Sequence, residues 1–291
     1  MVREMYPDVE AVFVNTGLEY PEIQKFVKTF DNITILRPEM RFDEVIKKYG
    51  YPMITKEISR KIYAARRGEE WAMKYIDGTA LRSDGEKSMY NVQKYKPLVS
   101  VDFVISNYCC DVMKKRPIKK YERQIKKKPM TAQMASESLK RFTNWLMNGC
   151  NAFDNKYPIS NPMSFWTEQD VLQYIKKYNL PIASVYGDVV YSERPEQMRF
   201  EEYGYECGTE KLETTGCDRT GCIFCGFGCH LEKGESRFER LKRTHPRQYD
   251  YCLNGGEYDE NGIWKPNSKG LGMKHVFDEL NKLYGDKFIR Y

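Results

Sequence analysis

Residues 10–36, EAVFVNTGLEYPEIQKFVKTFDNITIL, decide the fold class. Glu10–Asn15 is a short apolar run with β-branched and aromatic residues, the pattern of a buried strand. Thr16-Gly17 breaks the run with a turn. Tyr20–Phe30 then has helical spacing, and Pro21 falls in the first turn, where a missing N–H costs nothing. Asn32–Leu36 reads as a second strand, and Phe42–Lys48 and Lys56–Arg66 as further helices. Strands alternating with helices predict an α/β fold with a parallel sheet and crossover connections. Such sheets hold ligands outside the carboxyl ends of their strands. Asn15-Thr16-Gly17 lies at one such end, although the tripeptide alone is equally a plain turn.

Further along, residues 100–177 read as mostly helical, with one short strand near Met130–Ala135. Ser136 is the expected cap of a helix Glu137–Asn148. Thr167 is the expected cap of Glu168–Lys177, with Asp170 completing a capping box. From Tyr186 to Gly234 the periodicity fades into Gly, Thr, Cys and charged residues, a stretch that a metal would hold together. Helices return at Ser236–Arg243 and about Leu271–Tyr284. No internal repeat or low-complexity segment appears. The organisation expected is an α/β domain over residues 1–185 and a cysteine-rich, mostly helical C-terminal extension over 186–291.

Composition narrows the function classes. Hydrophobic residues are 41% and charged residues 30%, an ordinary globular balance. No apolar run reaches the length of a membrane-spanning helix, and the first residues hold charges and Pro7 instead of a signal-peptide core. A cytoplasmic protein without membrane contact is expected. The net charge of +6 is concentrated in Lys114–Lys128, with nine basic residues against one acid, Glu122. That run suits phosphate or nucleic-acid binding, or simply a solvated helix face.

The cysteines carry the strongest chemical signal. Nine thiols, an odd number, in a reducing compartment read as free thiols or metal ligands. Cys109 and Cys110 are adjacent, and Cys217, Cys222, Cys225 and Cys229 crowd into 13 residues. Cys150, Cys207 and Cys252 stand apart and read as small buried residues. Cys222-Ile-Phe-Cys225 is a Cys-x-x-Cys, whose spacing lets two thiolates share a metal or form a redox pair. Gly216, Gly221, Gly226 and Gly228 around it permit tight turns and close approach of backbone N–H groups to sulfur. Two ligand sets are possible. A local set of Cys217, Cys222, Cys225 and Cys229 (or His230) would form a zinc knuckle. A long-range set of Cys109, Cys110, Cys222 and Cys225 suits an iron–sulfur cluster, whose corners accept adjacent cysteines. Spacing alone leaves both open, together with unligated thiols.

Several motifs in order resemble a known family. Val12–Ile23, VFVNTGLEYPEI, is similar to the Asn-Thr-Gly segment of the phosphoadenosine-phosphosulfate (PAPS) reductase family, within the adenine nucleotide alpha-hydrolase superfamily. Cys109-Cys110-Asp-Val-Met-Lys114-Lys115-Arg-Pro117 resembles its Cys-Cys…Lys…Pro motif, and Glu137-Ser138…Arg141 its Glu-Ser-x-x-Arg helix. Pro162-Met163-x-x-Trp166-Thr167-Glu168-x-Asp170-Val171 looks like its Pro…Trp-Thr…Asp-Val element, and Thr220-Gly221-Cys222-x-x-Cys225 like its Gly-Cys-x-x-Cys. The resemblance covers roughly residues 9–230.

The resemblance implies a Rossmann-like parallel-sheet fold and a [4Fe-4S] cluster on Cys109, Cys110, Cys222 and Cys225, with zinc as the alternative. It implies an adenine nucleotide or adenylyl sulfate as ligand, contacted by Asn15, Thr16, Gly17, Arg82, Lys114, Glu137, Ser138 and Arg141. Lys114 would lie near both cluster and phosphosulfate. Two features depart from the family pattern. The family's Ser-Gly-Gly-Lys-Asp-Ser pyrophosphate loop should precede the Asn-Thr-Gly turn, so the first strand is expected to be missing here. The family's tail cysteine has no counterpart after Cys252, which leaves Cys217 and Cys229 as candidate nucleophiles. The implied activity is sulfonucleotide reductase chemistry with a thioredoxin-like thiol donor. The alternatives are an ATP-pyrophosphatase-type sulfurtransferase acting in nucleic-acid thiolation, or a non-catalytic, cluster-stapled binding module.

Overall fold

A computed structural model of the chain describes residues 2–156, 158–192 and 211–291. Cys207 lies outside the described residues. The chain divides into two compact units. The first is built from the described residues of Met1–Glu19, Ile33–Ile118 and Gly221–Tyr291, and the second from those of Tyr20–Asn32 and Lys119–Thr220.

In the first unit the opening apolar run forms the strand Ala11–Val14. It pairs in parallel with Ile33–Leu36, in the register Ala11↔Ile33 to Val14↔Leu36. Two strands that run the same way cannot be joined by a tight turn, and the chain between them contains the helix Pro21–Val27. Met53–Ile54 pairs in parallel with Gly226–Phe227. Single parallel bridges add Tyr51 to Ile105 and Phe103 to Trp264. The helix Phe42–Tyr49 starts where Glu44 accepts the Arg41 N–H at 2.7 Å. The helix Lys56–Arg66 starts where the Thr55 hydroxyl accepts the Ile58 N–H at 3.2 Å. This is the α/β, parallel-pair arrangement expected from residues 10–66.

The core of this unit draws on both ends of the chain. Tyr51, Phe103, Phe238 and Phe277 are among its largest fully buried side chains. Burying one such side chain contributes roughly 1.5–3 kcal/mol. Phe103 meets Tyr51 edge-on at 6.1 Å, and Phe238 meets Phe277 at 4.7 Å. The C-terminal helices Arg237–Thr244, Pro246–Leu253 and Met273–Tyr284 supply much of this surface. Polar ties support the packing. The Tyr51 hydroxyl donates to the Leu271 carbonyl at 2.8 Å, and His275 Nε2 lies 2.9 Å from an Asp102 oxygen.

The second unit holds the helices Pro21–Val27, Leu139–Asn148 and Glu168–Lys177. Two antiparallel pairs accompany them, Asn151–Ala152 with Ile159–Ser160 and Val189–Tyr191 with Leu212–Thr214. Thr167 caps its helix as expected, with Asp170 returning to the Thr167 N–H at 2.7 Å. Two local expectations are corrected. Met130–Ala135 is not a strand: Met130 makes one bridge, to Ser160. The strand Ile159–Ser160 is only two residues long, so no ladder can extend from it. The chain turns instead through the short 3₁₀ segment Ala135–Glu137. That turn moves the helix start, and the cap is Ser138, whose hydroxyl accepts the Arg141 N–H at 3.3 Å. Ser136 donates to the Trp166 carbonyl at 3.2 Å. Among the described residues no helix is long and apolar enough to cross a membrane.

One close approach matters for the cysteines. A Cβ on Gly226 would lie 2.4 Å from Met53 Sδ and 2.5 Å from the Pro52 carbonyl oxygen. Overpacking of this kind costs about 1–3 kcal/mol. Gly226→Ala should therefore lower the free energy of unfolding by that amount, seen as a lower urea midpoint at unchanged m-value. An unchanged midpoint would show that the backbone pairing at Met53 is looser than described.

Candidate functional site

The first cysteine pair sits just past the carboxyl end of the bridged segment Phe103–Ile105. A helix begins at Tyr108–Cys110, continues through the π-helical stretch Asp111–Lys115 and proceeds as Arg116–Ile125. Residues four apart share a helix face, so Met113 follows Cys109 and Lys114 follows Cys110. π-Helical turns are rare and cluster at functional sites.

The second pair arrives from the far end of the chain. Cys225 directly precedes the strand Gly226–Phe227 and is fixed by its pairing with Met53–Ile54. Its N–H donates to the Cys222 carbonyl at 3.0 Å, closing the Cys-x-x-Cys turn. The Ile223 N–H donates to the Leu18 carbonyl at 2.8 Å. Leu18 belongs to the turn after the first strand. There Asn15 Oδ1 accepts the Gly17 N–H at 3.1 Å, and Thr16 Oγ1 accepts the Leu18 N–H at 3.2 Å. Gly17 has φ +75°, a conformation that strains any other residue. Glu19 clamps the turn by accepting both the Thr16 hydroxyl at 2.7 Å and its N–H at 3.0 Å. The Asn15 and Thr16 side chains thus shape the turn on which the Cys222–Cys225 loop rests.

Cys109, Cys110, Cys222, Cys225 and Lys114 line one cavity, walled by Leu18, Phe42, Pro52 and Met113. It has about 290 Å³ of empty space but only about 20 Å³ of water-accessible room. Cys109 and Cys110 Sγ are 4.0 Å apart. Among the described residues, no group of three or more His, Cys, Asp or Glu side chains stands ready around a single metal ion. The donor chemistry of the cavity suits a soft metal centre: four thiols converge on it, and no carboxylate lines it.

Charge is managed closely here. Cys110 and Cys109 titrate together: their mutual hydrogen bond drives Cys110 down and Cys109 up, with Lys56 and Lys114 assisting the Cys110 thiolate. Burial pushes the Cys222 thiol up to about 11, against the opposing pull of Lys114. Burial also raises Cys225. Burial alone would lower Lys114, but its hydrogen-bonded neighbour Cys222, with Glu19 and Cys110, leaves it raised.

The other expected site residues are placed elsewhere. Cys229 is buried, and its thiol donates to the Gly226 carbonyl at 3.0 Å. Burial pushes it up to about 12. Cys217 is buried in the second unit, where its carbonyl accepts the Thr214 hydroxyl at 3.0 Å. Glu137, Ser138 and Arg141 also belong to that unit. Glu137 pairs with Arg141 and stands 3.6 Å from Arg219. Ser138 is the helix cap already described. Arg82 is exposed and pairs with Asp84 at 2.6 Å, lining neither the cysteine cavity nor the pocket beside it.

Three residues joined the site without being expected. Glu19 could have been read from Thr16-x-x-Glu19, a capping-box spacing. Lys56 follows the strand Met53–Ile54 at its carboxyl end, where ligands gather. Arg237 donates to the Cys225 carbonyl at 2.9 Å while paired with Glu232 at 2.6 Å, and no local pattern announced it.

Residues 69–226 match the phosphoadenosine phosphosulfate reductase domain, more than half of the chain. The chain belongs to this family. Both cysteine pairs, Lys114 and the Glu137-Ser138…Arg141 helix fall inside the PAPS reductase match, and the Asn15-Thr16-Gly17 turn lies outside it. A comparison with curated proteins gives no match.

Two outcomes follow for the metal-free, reduced protein. Removing the Lys114 charge, as in Lys114→Met, should shift thiolate formation in the cavity to higher pH by about one unit or more. The pH profile of iodoacetamide alkylation at Cys110 and Cys222 reads this, and an unshifted profile would deny Lys114 its electrostatic role. Cys222 and Cys229 ionise near 11 and 12 when folded, above their ordinary 9.0. Their neutral burial therefore stabilises the fold fully below about pH 9 and is lost as pH rises toward 11–12. Thermal melts should fall across that window, less steeply in Cys229→Ala.

Proposed function

We propose that this protein performs sulfonucleotide reductase-type chemistry on an adenylyl sulfate, with a [4Fe-4S] cluster held by Cys109, Cys110, Cys222 and Cys225. The observation that carries the reading is one cavity: two cysteine pairs more than a hundred residues apart share it with Lys114. Membership of the PAPS reductase family supports the same substrate class. Cys109, Cys110, Cys222 and Cys225 would hold the cluster, which would supply a polarisable iron–sulfur centre whose charge Lys114 offsets.

The chain's own residues do the rest. Lys114 offers a fixed positive charge to the phosphosulfate oxygens, where charge builds as the S–O bond lengthens. The turn Asn15-Thr16-Gly17, held by Glu19, fixes the loop that carries Cys222. A thiolate attacks the sulfur, the S–O bond to phosphate breaks, and the nucleotide leaves with that electron pair as its phosphate oxygen. The product is a thiosulfonate. A second thiolate then attacks its sulfenyl sulfur, forming a disulfide and releasing sulfite. Of the two cysteines expected as nucleophiles, Cys229 is held neutral by its burial and its hydrogen bond to the Gly226 carbonyl; Cys217 is the candidate within the chain, and a thioredoxin-like protein supplies the second thiol. Arg82, Glu137, Ser138 and Arg141 stand as the proposed contacts to the rest of the nucleotide.

A second reading rests on a separate observation. The basic residues Lys119, Lys120, Arg123 and Lys126 are all exposed on or just after the helix Arg116–Ile125. An exposed basic helix is the footprint of a polyanion, which favours sulfur transfer to nucleic acid after adenylylation.

Anaerobic purification should yield about four irons and four sulfides per chain. Any single serine substitution at the four cysteines should lower that content, and a colourless, zinc-loaded protein would reject the cluster. With PAPS and reduced thioredoxin, sulfite release should fall at least about a hundredfold in Lys114→Met. Pyrophosphate release from ATP that depends on RNA, with no sulfite, would select the second reading.

A further inference from the structure

The second unit carries an open cleft of about 490 Å³ that the reductase reading does not use. Phe165, Trp166, Tyr174 and Tyr178 give it aromatic walls. Tyr174 and Tyr178 lie four apart, on one face at the end of the helix Glu168–Lys177. Their rings are 4.6 Å apart, and Trp166 meets Tyr174 edge-on at 5.5 Å, so the three form one row. Phe165 is 63% exposed and Tyr178 52%. Rings clustered in a cleft and left open to water mark a binding surface.

The polar groups of the cleft suit an anionic ligand with a planar ring. Its carboxylate, Asp170, is occupied by the helix cap, accepting the Thr167 N–H at 2.7 Å and the Thr167 hydroxyl at 2.8 Å. Gln173 is exposed and offers an amide with both donor and acceptor. Lys177 is exposed, lies 5.4 Å from the Tyr178 ring and pairs with no carboxylate among the described residues. More positive charge stands at the other end of the same pair of segments. Residues 129–136 are fastened alongside 160–166. The Pro129 carbonyl accepts the Ser160 N–H at 3.1 Å, the Ala135 N–H donates to the Ser164 carbonyl at 2.7 Å, and the Ser136 hydroxyl donates to the Trp166 carbonyl at 3.2 Å. One end of this pair carries Phe165 and Trp166. The other follows directly on Lys126, Lys127 and Lys128, which are exposed and pair with no carboxylate among the described residues. The chain from Lys128 to Ser136 spans under about 30 Å even if fully extended.

Neighbouring cations bind a polyanion through its phosphates, and exposed rings add stacking that phosphates alone cannot use. In a duplex the bases stack on one another, so such rings reach only an unpaired strand. We infer that the second unit holds a binding track for single-stranded nucleic acid, with a base stacked in the cleft of Phe165, Trp166 and Tyr178 and the backbone running toward Lys126, Lys127 and Lys128. The track deepens the nucleic-acid reading above, on which it rests for its partner, and its binding step needs neither a cluster nor ATP.

The probes are labelled oligo(dT) and oligo(U) of about twelve nucleotides, mixed with the full anaerobically purified chain while fluorescence anisotropy is followed. Saturable binding is expected, and the two arms separate DNA from RNA. Phe165→Ala and Tyr178→Ala, both at exposed positions, should each weaken binding about tenfold, with circular dichroism confirming that the variants are folded. Lys126→Gln combined with Lys128→Gln should weaken it too, and should flatten the log–log dependence on salt by about 1.4. An abasic strand of equal length keeps the phosphates without the bases. It should bind about tenfold more weakly than oligo(dT) and be indifferent to Phe165→Ala. The inference is overturned if neither oligonucleotide binds, if the abasic strand binds as tightly as oligo(dT), or if both ring variants bind like the wild type. Pyrophosphate release from ATP is measured on the same preparation. Strand binding without pyrophosphate release overturns the sulfur-transfer reading alone. RNA-dependent release that persists undiminished in Phe165→Ala and Tyr178→Ala overturns this track alone.

Discussion

Four cysteine sulfurs around one small buried cavity make ionisation costly for all but Cys110, whose thiolate is supported by Cys109, Lys56 and Lys114. Each thiolate loses hydration, and each raises the cost of the next. The fold answers with cations at the edges. Lys114 faces Cys222 and Cys110, Lys56 reaches Cys110, and Arg237 acts on Cys225 and Cys229. These cations are themselves anchored. Arg237 is paired with Glu232, and Lys114 is influenced by Glu19. These cations offset part of the desolvation that burial imposes on the thiolates, and only Cys110 is carried below its ordinary value.

Bringing the four sulfurs together is a problem of chain geometry, solved by backbone contacts. The pairs are separated by more than a hundred residues, so loop closure is costly and must be offset locally. The offset comes from the Ile223–Leu18 hydrogen bond and the pairing of Gly226–Phe227 with Met53–Ile54. The second contact is possible because Gly226 lets the backbone approach Met53 and Pro52. The C-terminal helices reinforce the arrangement from behind, since Phe238 and Phe277 are buried in the same unit as Tyr51 and Phe103. The cysteine loop is thus pressed between the first strand's turn and the C-terminal packing.

Much of this was legible in the residues. The strand–turn–helix–strand pattern of residues 10–36 and the helix Lys56–Arg66 emerge where their periodicity places them. Local periodicity and caps are short-range physics, and they survive folding. The failures came where tertiary contacts outweigh local preference. Met130–Ala135 has strand-like residues but a partner too short to extend a ladder. Ser136 lost the cap to Ser138 because a 3₁₀ turn moved the helix start. Spacing alone left two cysteine sets open, because ligand convergence depends on contacts across the chain. Arg237 was invisible for the same reason: its relation to Cys225 exists only after the segment 225–237 has folded back.

The helix that begins at Cys109-Cys110 explains why one short sequence serves two cavities. Successive residues on a helix point about 100° apart, so adjacent residues such as Lys114 and Lys115 face different ways. Cys109, Met113 and Lys114 line the cysteine cavity, while Tyr108, Asp111 and Lys115 line its neighbour. Cys110 borders both. The stretch Asp111–Lys115 is π-helical. Both cysteines of the first doublet line the sulfur cavity, whereas the second doublet divides, Lys114 lining that cavity and Lys115 standing exposed.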